Sequence, residues 1–232
     1  MDFSRFTTIS FDCYGTLVDW EAGMLPVLRS ILARHQSHLS DAAILELYGE
    51  SEAEAESGVF RSYRDVLGEV VRAFGTRLGF QPSHSEIDSL PSSVPAWPPF
   101  ADTVAGLQQL KTRYKLVIIS NIDDDLFAQT NKLLGVGFDA VITAEQARSY
   151  KPSLHNFQLA LQRLGITHQQ LLHAGQSIYH DVIPARSLGI ASVWVNRKSA
   201  RPGIGAVRAA AGSPDLEVPD LATLAKLATA KD

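Results

Sequence analysis

Asp12 is the residue of this sequence whose type and position best suit a catalytic nucleophile. It ends a short apolar run, and the turn that follows contains Gly15 and Thr16. The backbone N–H groups of such a turn and the Thr16 hydroxyl can surround one carboxylate oxygen while the other faces outward, where it could attack an electrophilic carbon or phosphorus. An aspartate at a strand end is also often a helix N-cap, so this motif alone leaves both roles open.

Three later segments carry the other groups that such chemistry uses. Ser120 and Asn121 are small polar residues suited to holding anionic oxygens or a leaving group. Lys151 adds a cation, and Asp181 adds a second carboxylate. Each segment comes after a strand-like run, and the ligands of α/β folds gather where the strands end. We therefore expect the four segments to meet in one site.

The elements that must position these residues alternate between strand and helix. Short runs rich in apolar and β-branched residues predict strands at residues 7–11, 115–119, 140–143, 171–174 and 191–195. Helical patterns lie between them, at residues 101–113, 124–134, 154–164 and 182–188. This alternation predicts an α/β fold with a Rossmann-like parallel sheet.

The interval between the first two strands has a different pattern. Amphipathic helical patterns recur there without a convincing strand, and the prolines of LPSSVPAWPP end them. We predict a helical cap at residues 21–97, inserted into a core formed by residues 1–20 and 98–232. Within it, the acidic run ESEAEAES at residues 50–57 predicts a solvated helix face. The alanine-rich residues 206–211 predict a surface helix or loop.

The ordered set of motifs resembles the haloacid dehalogenase superfamily over nearly the whole chain, and DCYGTLVDW resembles its (S)-2-haloacid dehalogenase (type II) branch. The resemblance implies hydrolytic dehalogenation of short 2-haloalkanoic acids to 2-hydroxyalkanoic acids through an ester on Asp12. Lys151 and Asp181 would set the charge of the nucleophile and help to position water. Thr16, Ser120 and Asn121 would bind the substrate carboxylate or the halide.

Tyr14 and Gln176 favour carbon–halogen cleavage within that superfamily. Its phosphatases carry an aspartate where Tyr14 stands, which protonates the leaving alcohol, whereas a departing halide needs no proton. They also usually carry a magnesium-binding aspartate where this chain has Gln176. We therefore predict no metal and no other cofactor, and we count Tyr14 among the substrate-binding residues.

The sequence offers two candidates for the group that anchors the substrate carboxylate. Related dehalogenases use an arginine near the start of the cap, and the corresponding segment LELYGES contains none. They also carry a tyrosine where Phe157 stands and an asparagine where Ile178 stands. Arg61 and Arg64 are the candidates that could reach in from the cap instead, although arginines on exposed helices are usually solvated.

Composition limits the classes of function. The chain has 232 residues, 45% of them hydrophobic, a net charge of −4 with scattered basic residues, and one cysteine, Cys13. These features predict a small-molecule substrate, no nucleic-acid or membrane partner and a cytoplasmic location, and a homodimer is compatible with them. A phosphatase of the same superfamily and a non-catalytic binding module on this fold are the rival functions.

Overall fold

The computed structural model describes residues 1–197, 205–206 and 210–230. Its centre is a six-stranded parallel sheet with the strand order β3-β2-β1-β4-β5-β6. The strands are β1 Thr8–Phe11, β2 Lys115–Ser120, β3 Ala140–Thr143, β4 Leu171–Gly175, β5 Ala191–Val195 and β6 Leu216–Val218. The predicted α/β fold with a parallel sheet is confirmed.

Helices cover the sheet and connect its strands. They are α5 Thr103–Lys111, α6 Asp124–Leu134, α7 Ala144–Ala147, α8 Leu154–Leu164, α9 Ile183–Ser187 and α10 Leu221–Thr229. Five strands and the main connecting helices lie where the sequence predicted them, but β6 and α10 were missed. Both are short elements near the chain end, and β6, with three residues, is too short to show a periodic pattern.

Between β1 and α5 lie four α-helices, which we call the helical insertion. They are α1 Trp20–Arg34, α2 Asp41–Glu56, α3 Tyr63–Leu78 and α4 His84–Ser93. Serine caps define three of the starts, because the hydroxyls of Ser40, Ser62 and Ser83 accept the N–H groups of Ala43, Asp65 and Glu86. The four helices pack against one another, α2 on α3 and α3 on α4 most extensively. The exact boundaries predicted for a separate cap, residues 21–97, remain a prediction.

The sheet order brings the carboxyl end of β1 to the centre of the molecule. Phe11, its last residue, pairs with Ile118 of β2 on one side and with Ala174 of β4 on the other. The chain therefore crosses over on both sides of β1, and this switch point leaves a crevice beyond the strand ends. Asp12 follows Phe11 directly into that crevice.

Two further points concern membrane-spanning helices and the alanine-rich stretch. No helix within the described residues is long and apolar enough to cross a membrane. In the alanine-rich stretch at 206–211, residues 207–209 lie outside the described part of the chain, and Ala206 is buried rather than on the surface.

Candidate active site

Asp12 is held on both of its carboxylate oxygens. The Thr16 hydroxyl donates to Oδ2 at 2.8 Å, and Nζ of Lys151 donates to Oδ1 at 2.9 Å. Asp12 is 8% exposed, so it meets the cavity while most of its surface is covered. Burial raises the pKa of Asp12, and the neighbouring Lys151 ammonium offsets only part of that rise. The lysine is therefore what favours the ionised, nucleophilic form.

The turn after Asp12 requires glycine at position 15. Gly15 has φ +90°, a left-handed backbone conformation that other residues adopt only with strain. A Cβ atom there would also lie 3.2 Å from Oε1 of Gln176 and 3.3 Å from Nε1 of Trp20. The same turn places Thr16 so that its hydroxyl, besides donating to Asp12, accepts the backbone N–H of Gln176 at 2.9 Å. Thr16 thus joins the first and fourth segments.

Lys151 is buried between two carboxylates. Its Nζ lies 2.9 Å from Oδ1 of Asp12 and 2.6 Å from Oδ1 of Asp181. Asn121 fixes its backbone, because Oδ1 of Asn121 accepts the Lys151 N–H at 2.7 Å and Nδ2 donates to the Lys151 carbonyl at 3.1 Å. The Asn121 side chain borders the cavity but is committed to this contact, which makes it a positioning residue for the lysine.

Asp181 is stabilised as a carboxylate by several donors. Its Oδ1 lies 3.2 Å from Nε2 of His173, and Nδ1 of that ring lies 2.8 Å from the Ser10 hydroxyl. The backbone N–H of Ser177 donates to Oδ2 at 3.1 Å. Burial alone would raise the pKa of Asp181, but Lys151 and His173 outweigh it and hold the pKa well below its usual range. Asp181 is therefore a permanent negative partner for the lysine.

Ser120 and Tyr14 complete the predicted set on the core side. The Ser120 hydroxyl is buried and has no hydrogen-bond partner among the described residues. A buried hydroxyl without a partner is unfavourable, so it can gain a hydrogen bond from a bound ligand. The Tyr14 hydroxyl lies 2.9 Å from the Thr130 hydroxyl, and its ring packs edge-on against Trp97.

The predicted residues meet in one cavity of about 60 Å³ at the end of β1. Six of them line it, namely Asp12, Tyr14, Ser120, Asn121, Lys151 and Asp181. Thr16 does not line the cavity but donates a hydrogen bond to Asp12. The other lining residues are Trp20, Glu52, Glu56, Tyr63, Gln176, Ser177, His180 and Ala206. An outer cavity of about 400 Å³ shares Glu52, Glu56, Lys151, His180 and Ala206 with it and opens to solvent.

Arg61 and Arg64 are not brought to this cavity, which corrects the expectation that they anchor a substrate there. Both are exposed and border a separate groove of about 660 Å³ on the helical insertion. The cause lies at the start of α3, where Asp123 accepts the backbone N–H groups of Tyr63 at 2.7 Å and Arg64 at 2.9 Å. This contact turns the Tyr63 side chain inward and the Arg64 side chain outward, where it pairs with the exposed Asp125 at 2.7 Å.

The acidic run of α2 is not a uniformly solvated face. Glu52 and Glu56, one helical turn apart, are half-buried and line both cavities. Oε1 of Glu52 accepts hydrogen bonds from the hydroxyls of Tyr48 at 2.8 Å and Tyr63 at 2.6 Å. Of the glutamates of this run, only Glu50 and Glu54 follow the prediction, since both are exposed and pair with Arg77.

The donor set at the site does not suit a hard divalent cation. The two carboxylates that approach each other, Asp12 and Asp181, both accept from the Lys151 ammonium, and Gln176 presents an amide rather than a carboxylate to the cavity. Within the described residues there is no cluster of three or more metal-ligating histidine, cysteine or carboxylate side chains.

The fold and the site together define an α/β protein with a buried, lysine-paired aspartate at the carboxyl edge of its sheet. A family model of haloacid dehalogenase-like hydrolases matches residues 6–189. The chain belongs to this family.

Three relatives show how far the likeness extends. An (S)-2-haloacid dehalogenase of Pseudomonas fluorescens is 25% identical over 197 residues, which cover 82% of this chain and 84% of that protein. The pyrophosphatase PpaX of Bacillus velezensis is 27% identical over 198 residues, covering 84% of this chain and 85% of that protein. The solved structure of L-2-haloacid dehalogenase from Xanthobacter autotrophicus with chloropropionic acid covalently bound has a TM-score of 0.80 at 22% identity, and the match covers 96% of this chain and 98% of that one.

Sequence reasoning missed Glu52, Glu56 and Tyr63, which α2 and α3 bring to the cavity. The signal that could have found Glu52 and Glu56 is their spacing of four, which places them on one face of α2 with Tyr48. Sequence reasoning also did not assign His173, which contacts Asp181 from within β4. The His173 ring packs edge-on against the Phe157 ring, with 4.9 Å between the ring centres. A histidine inside an apolar strand was the available signal.

Proposed function

We propose that this hydrolase cleaves the carbon–halogen bond of short 2-haloalkanoic acids. One oxygen of Asp12 attacks the carbon that bears the halogen, and the halide leaves with the bonding electron pair, which forms an ester on Asp12. Water then attacks the ester carbonyl carbon, releases the 2-hydroxyalkanoic acid and restores the carboxylate. Dividing one difficult displacement into two steps is the general advantage of a covalent intermediate.

The observation that carries this proposal is the environment of Tyr14. This residue stands two positions after Asp12, and its hydroxyl lies 2.9 Å from the Thr130 hydroxyl. Burial raises the pKa of Tyr14 well above its usual range, which makes it a much weaker acid than a carboxyl group at this position would be. A leaving alcohol would therefore meet only a weak proton donor at this position, whereas a leaving halide needs none.

The rest of the site supports the same chemistry. Lys151 favours the ionised form of Asp12, as the first displacement requires. The unpartnered Ser120 hydroxyl can donate to the substrate carboxylate or to the departing halide. Among the relatives, an (S)-2-haloacid dehalogenase matches most of this chain in sequence, and an L-2-haloacid dehalogenase structure of similar fold holds chloropropionic acid covalently.

A phosphatase is the second candidate, and the pyrophosphatase relative favours it. It would need an acid for the leaving group and a cation for the phosphoryl oxygens, and the positions of Tyr14 and Gln176 provide neither. A non-catalytic binding module is the third, and the complete pairing of Asp12, Lys151 and Asp181 argues against it.

A halide-release assay tests the proposal. The substrates are fluoro-, chloro- and bromoacetate and both enantiomers of 2-chloropropionate, each with a chelator and with added Mg²⁺, and Asp12→Asn is the inactive control. We expect halide release that is equal in chelator and in Mg²⁺. A protein that releases no halide but releases phosphate from a model ester only with Mg²⁺ is a phosphatase, and one that turns over neither substrate class is a binding module.

A further inference from the structure

The wall that α2 contributes to the inner cavity is acidic and offers no cation to a substrate. Glu52 and Glu56 both line it, and among the described residues Lys151 is the only lysine or arginine that does so. Lys151 is already committed to Asp12 at 2.9 Å and to Asp181 at 2.6 Å. A 2-haloalkanoate carboxylate therefore meets no free lysine or arginine in the described part of this cavity.

The number of carboxyl groups around this single ammonium makes full ionisation unfavourable. Asp12, Asp181, Glu52 and Glu56 share one small cavity, and like charges at such a site retain protons. Burial raises the pKa of Glu52 to about 7, although Tyr63 and Tyr48 donate to it. Burial, and then the charge of Glu52, raises the pKa of Glu56 well above its usual range.

Glu56 differs from Glu52 in having an uncommitted carboxyl group. Glu52 accepts from two tyrosines through Oε1. The Glu56 side chain makes no hydrogen bond and no ion pair within the described part of the chain, and Glu56 borders the inner cavity as well as the outer one. Glu56 thus lines the outer cavity, which opens to solvent, and the inner cavity that holds Asp12, and its carboxyl group can donate a proton in a hydrogen bond.

We propose that Glu56, in its protonated form, binds the carboxylate of the substrate and takes the place of a cationic anchor. This inference rests on the proposed function, since a 2-haloalkanoate supplies the carboxylate. A neutral carboxyl group donates one O–H to the anionic oxygen, and a hydrogen bond to a charged acceptor is among the stronger kinds. The proton stays on Glu56 throughout, and the group neither forms nor breaks a covalent bond.

The groups that face Glu56 come from several elements and set its titration. Glu52 lies on the same helix, and Tyr63 on α3. The core contributes, to one or both cavities, Asp12, Tyr14, Arg148, Tyr150, Lys151, Tyr179, His180 and Asp181. Arg148, at the outer cavity, is held with its guanidinium 4.4 Å from the centre of the Phe60 ring. The anchoring proton is lost when Glu56 ionises, so carboxylate binding is expected to weaken on the alkaline side.

The test measures the binding of propionate, an unreactive carboxylate, and of propionamide, its neutral counterpart, by ligand-observed NMR between about pH 6 and about pH 10. The variants are Glu56→Gln, which keeps an N–H donor but cannot ionise, and Glu56→Ala, which has no donor. Glu46→Gln, an exposed position on the same helix, is the matched control. Unchanged propionamide binding shows that each variant is folded.

Wild type is expected to bind propionate progressively more weakly as pH rises and to bind propionamide equally at every pH. Glu56→Gln should keep only the decline near about pH 7 that the ionisation of Glu52 causes, and Glu56→Ala should bind propionate roughly tenfold or more weakly at about pH 6. The inference is overturned if Glu56→Ala binds propionate like wild type, if Glu56→Gln keeps the wild-type decline at pH values well above about 7, if wild type is flat over the whole range, or if wild type does not bind propionate at about pH 6.

Failure of this inference and failure of the proposed function give different results. If wild type releases halide but the Glu56 variants bind propionate as wild type does, the proposed dehalogenase function is retained and only the role of Glu56 is rejected. The expected pattern of propionate binding without release of any halide keeps the carboxylate site and rejects the carbon–halogen chemistry.

Discussion

Nζ of Lys151 lies 2.9 Å from Oδ1 of Asp12, although 139 positions of sequence separate the two residues. The contact joins the loop after β1 to the start of α8 and places the only ammonium of the inner cavity, within the described residues, against the proposed nucleophile. Since burial raises the pKa of Asp12, this ammonium decides whether the carboxylate is ionised near neutral pH. Catalysis and stability should therefore both depend on Lys151.

Replacing Lys151 by Met leaves Asp12 and Asp181 buried without their common cation. Removing one partner of a buried ion pair costs about 3–5 kcal/mol. We expect the free energy of unfolding at neutral pH, measured with urea, to fall by an amount of that order, and the acid limb of the activity profile to move to higher pH because the pKa of Asp12 rises. The exposed Lys132→Met is the matched control. An unchanged urea midpoint would show that the buried pair contributes nothing to stability.

Asp12 should exchange one of its own oxygens for a solvent oxygen. In a single turnover in ¹⁸O-water, a nucleophilic Asp12 transfers an unlabelled oxygen to the product and regains a labelled one when water attacks the ester. Mass spectrometry should then find ¹⁸O in the peptide that contains Asp12 and ¹⁶O in the first hydroxy acid formed. Asp12→Asn should form no ester, because a neutral amide is a poor nucleophile.

A general-base mechanism leaves the opposite labels. Solvent oxygen would enter the product in the first turnover and would never appear in the protein. That result rejects the ester mechanism even if halide is released, so the experiment separates the mechanism from the activity.

Arg61→Ala and Arg64→Ala should leave KM for a 2-haloalkanoate unchanged. Both side chains are exposed at a groove outside the cavity of Asp12, and Arg64 pairs with an exposed carboxylate, a contact worth at most about 1 kcal/mol. Steady-state kinetics with 2-chloropropionate check the expectation, with Arg72→Ala on the same groove as the control. A KM that increases tenfold in either arginine variant, and not in the control, would place that arginine at the substrate.

Glu52 should make the native state less stable as pH rises. Its pKa is about 7 in the folded protein and about 4.5 in its ordinary state, so between these values the native state holds a proton that the unfolded state has released. Stability contributed by that proton is complete below about pH 4.5, declines as pH rises and is lost above about pH 7, a change of at most about 3 kcal/mol.

Glu52→Gln removes this dependence while keeping an oxygen that can accept from Tyr48 and Tyr63. The melting temperature of the variant, relative to wild type, is expected to be higher at pH 8 than at pH 4.5. Glu46→Gln, at an exposed position of the same helix, should show no such trend. If the difference between Glu52→Gln and wild type is the same at both pH values, Glu52 is ionised in the folded protein as in the unfolded chain.

The sheet and the central part of the site could be predicted from the sequence because both depend on local signals. Buried parallel strands are short, apolar and β-branched, and the residues that follow them must lie at one edge of the sheet. Asp12, Ser120, Lys151 and Asp181 could therefore be assigned to one cavity before any distance was known. The strand β6 could not, because its three residues show no period and their position depends on pairing with β5.

The helical insertion shows what only the tertiary structure decided. Periodicity places Glu52 and Glu56 on one helix face but does not say which neighbour that face meets. The packing of α2 against α1 and α3 turns the face towards Asp12, and the docking of the start of α3 on Asp123 turns Arg64 away from it. The spacing of residues in the sequence determines which side chains share one face of a helix. The orientation of the whole helix is set by contacts with residues far away in the chain.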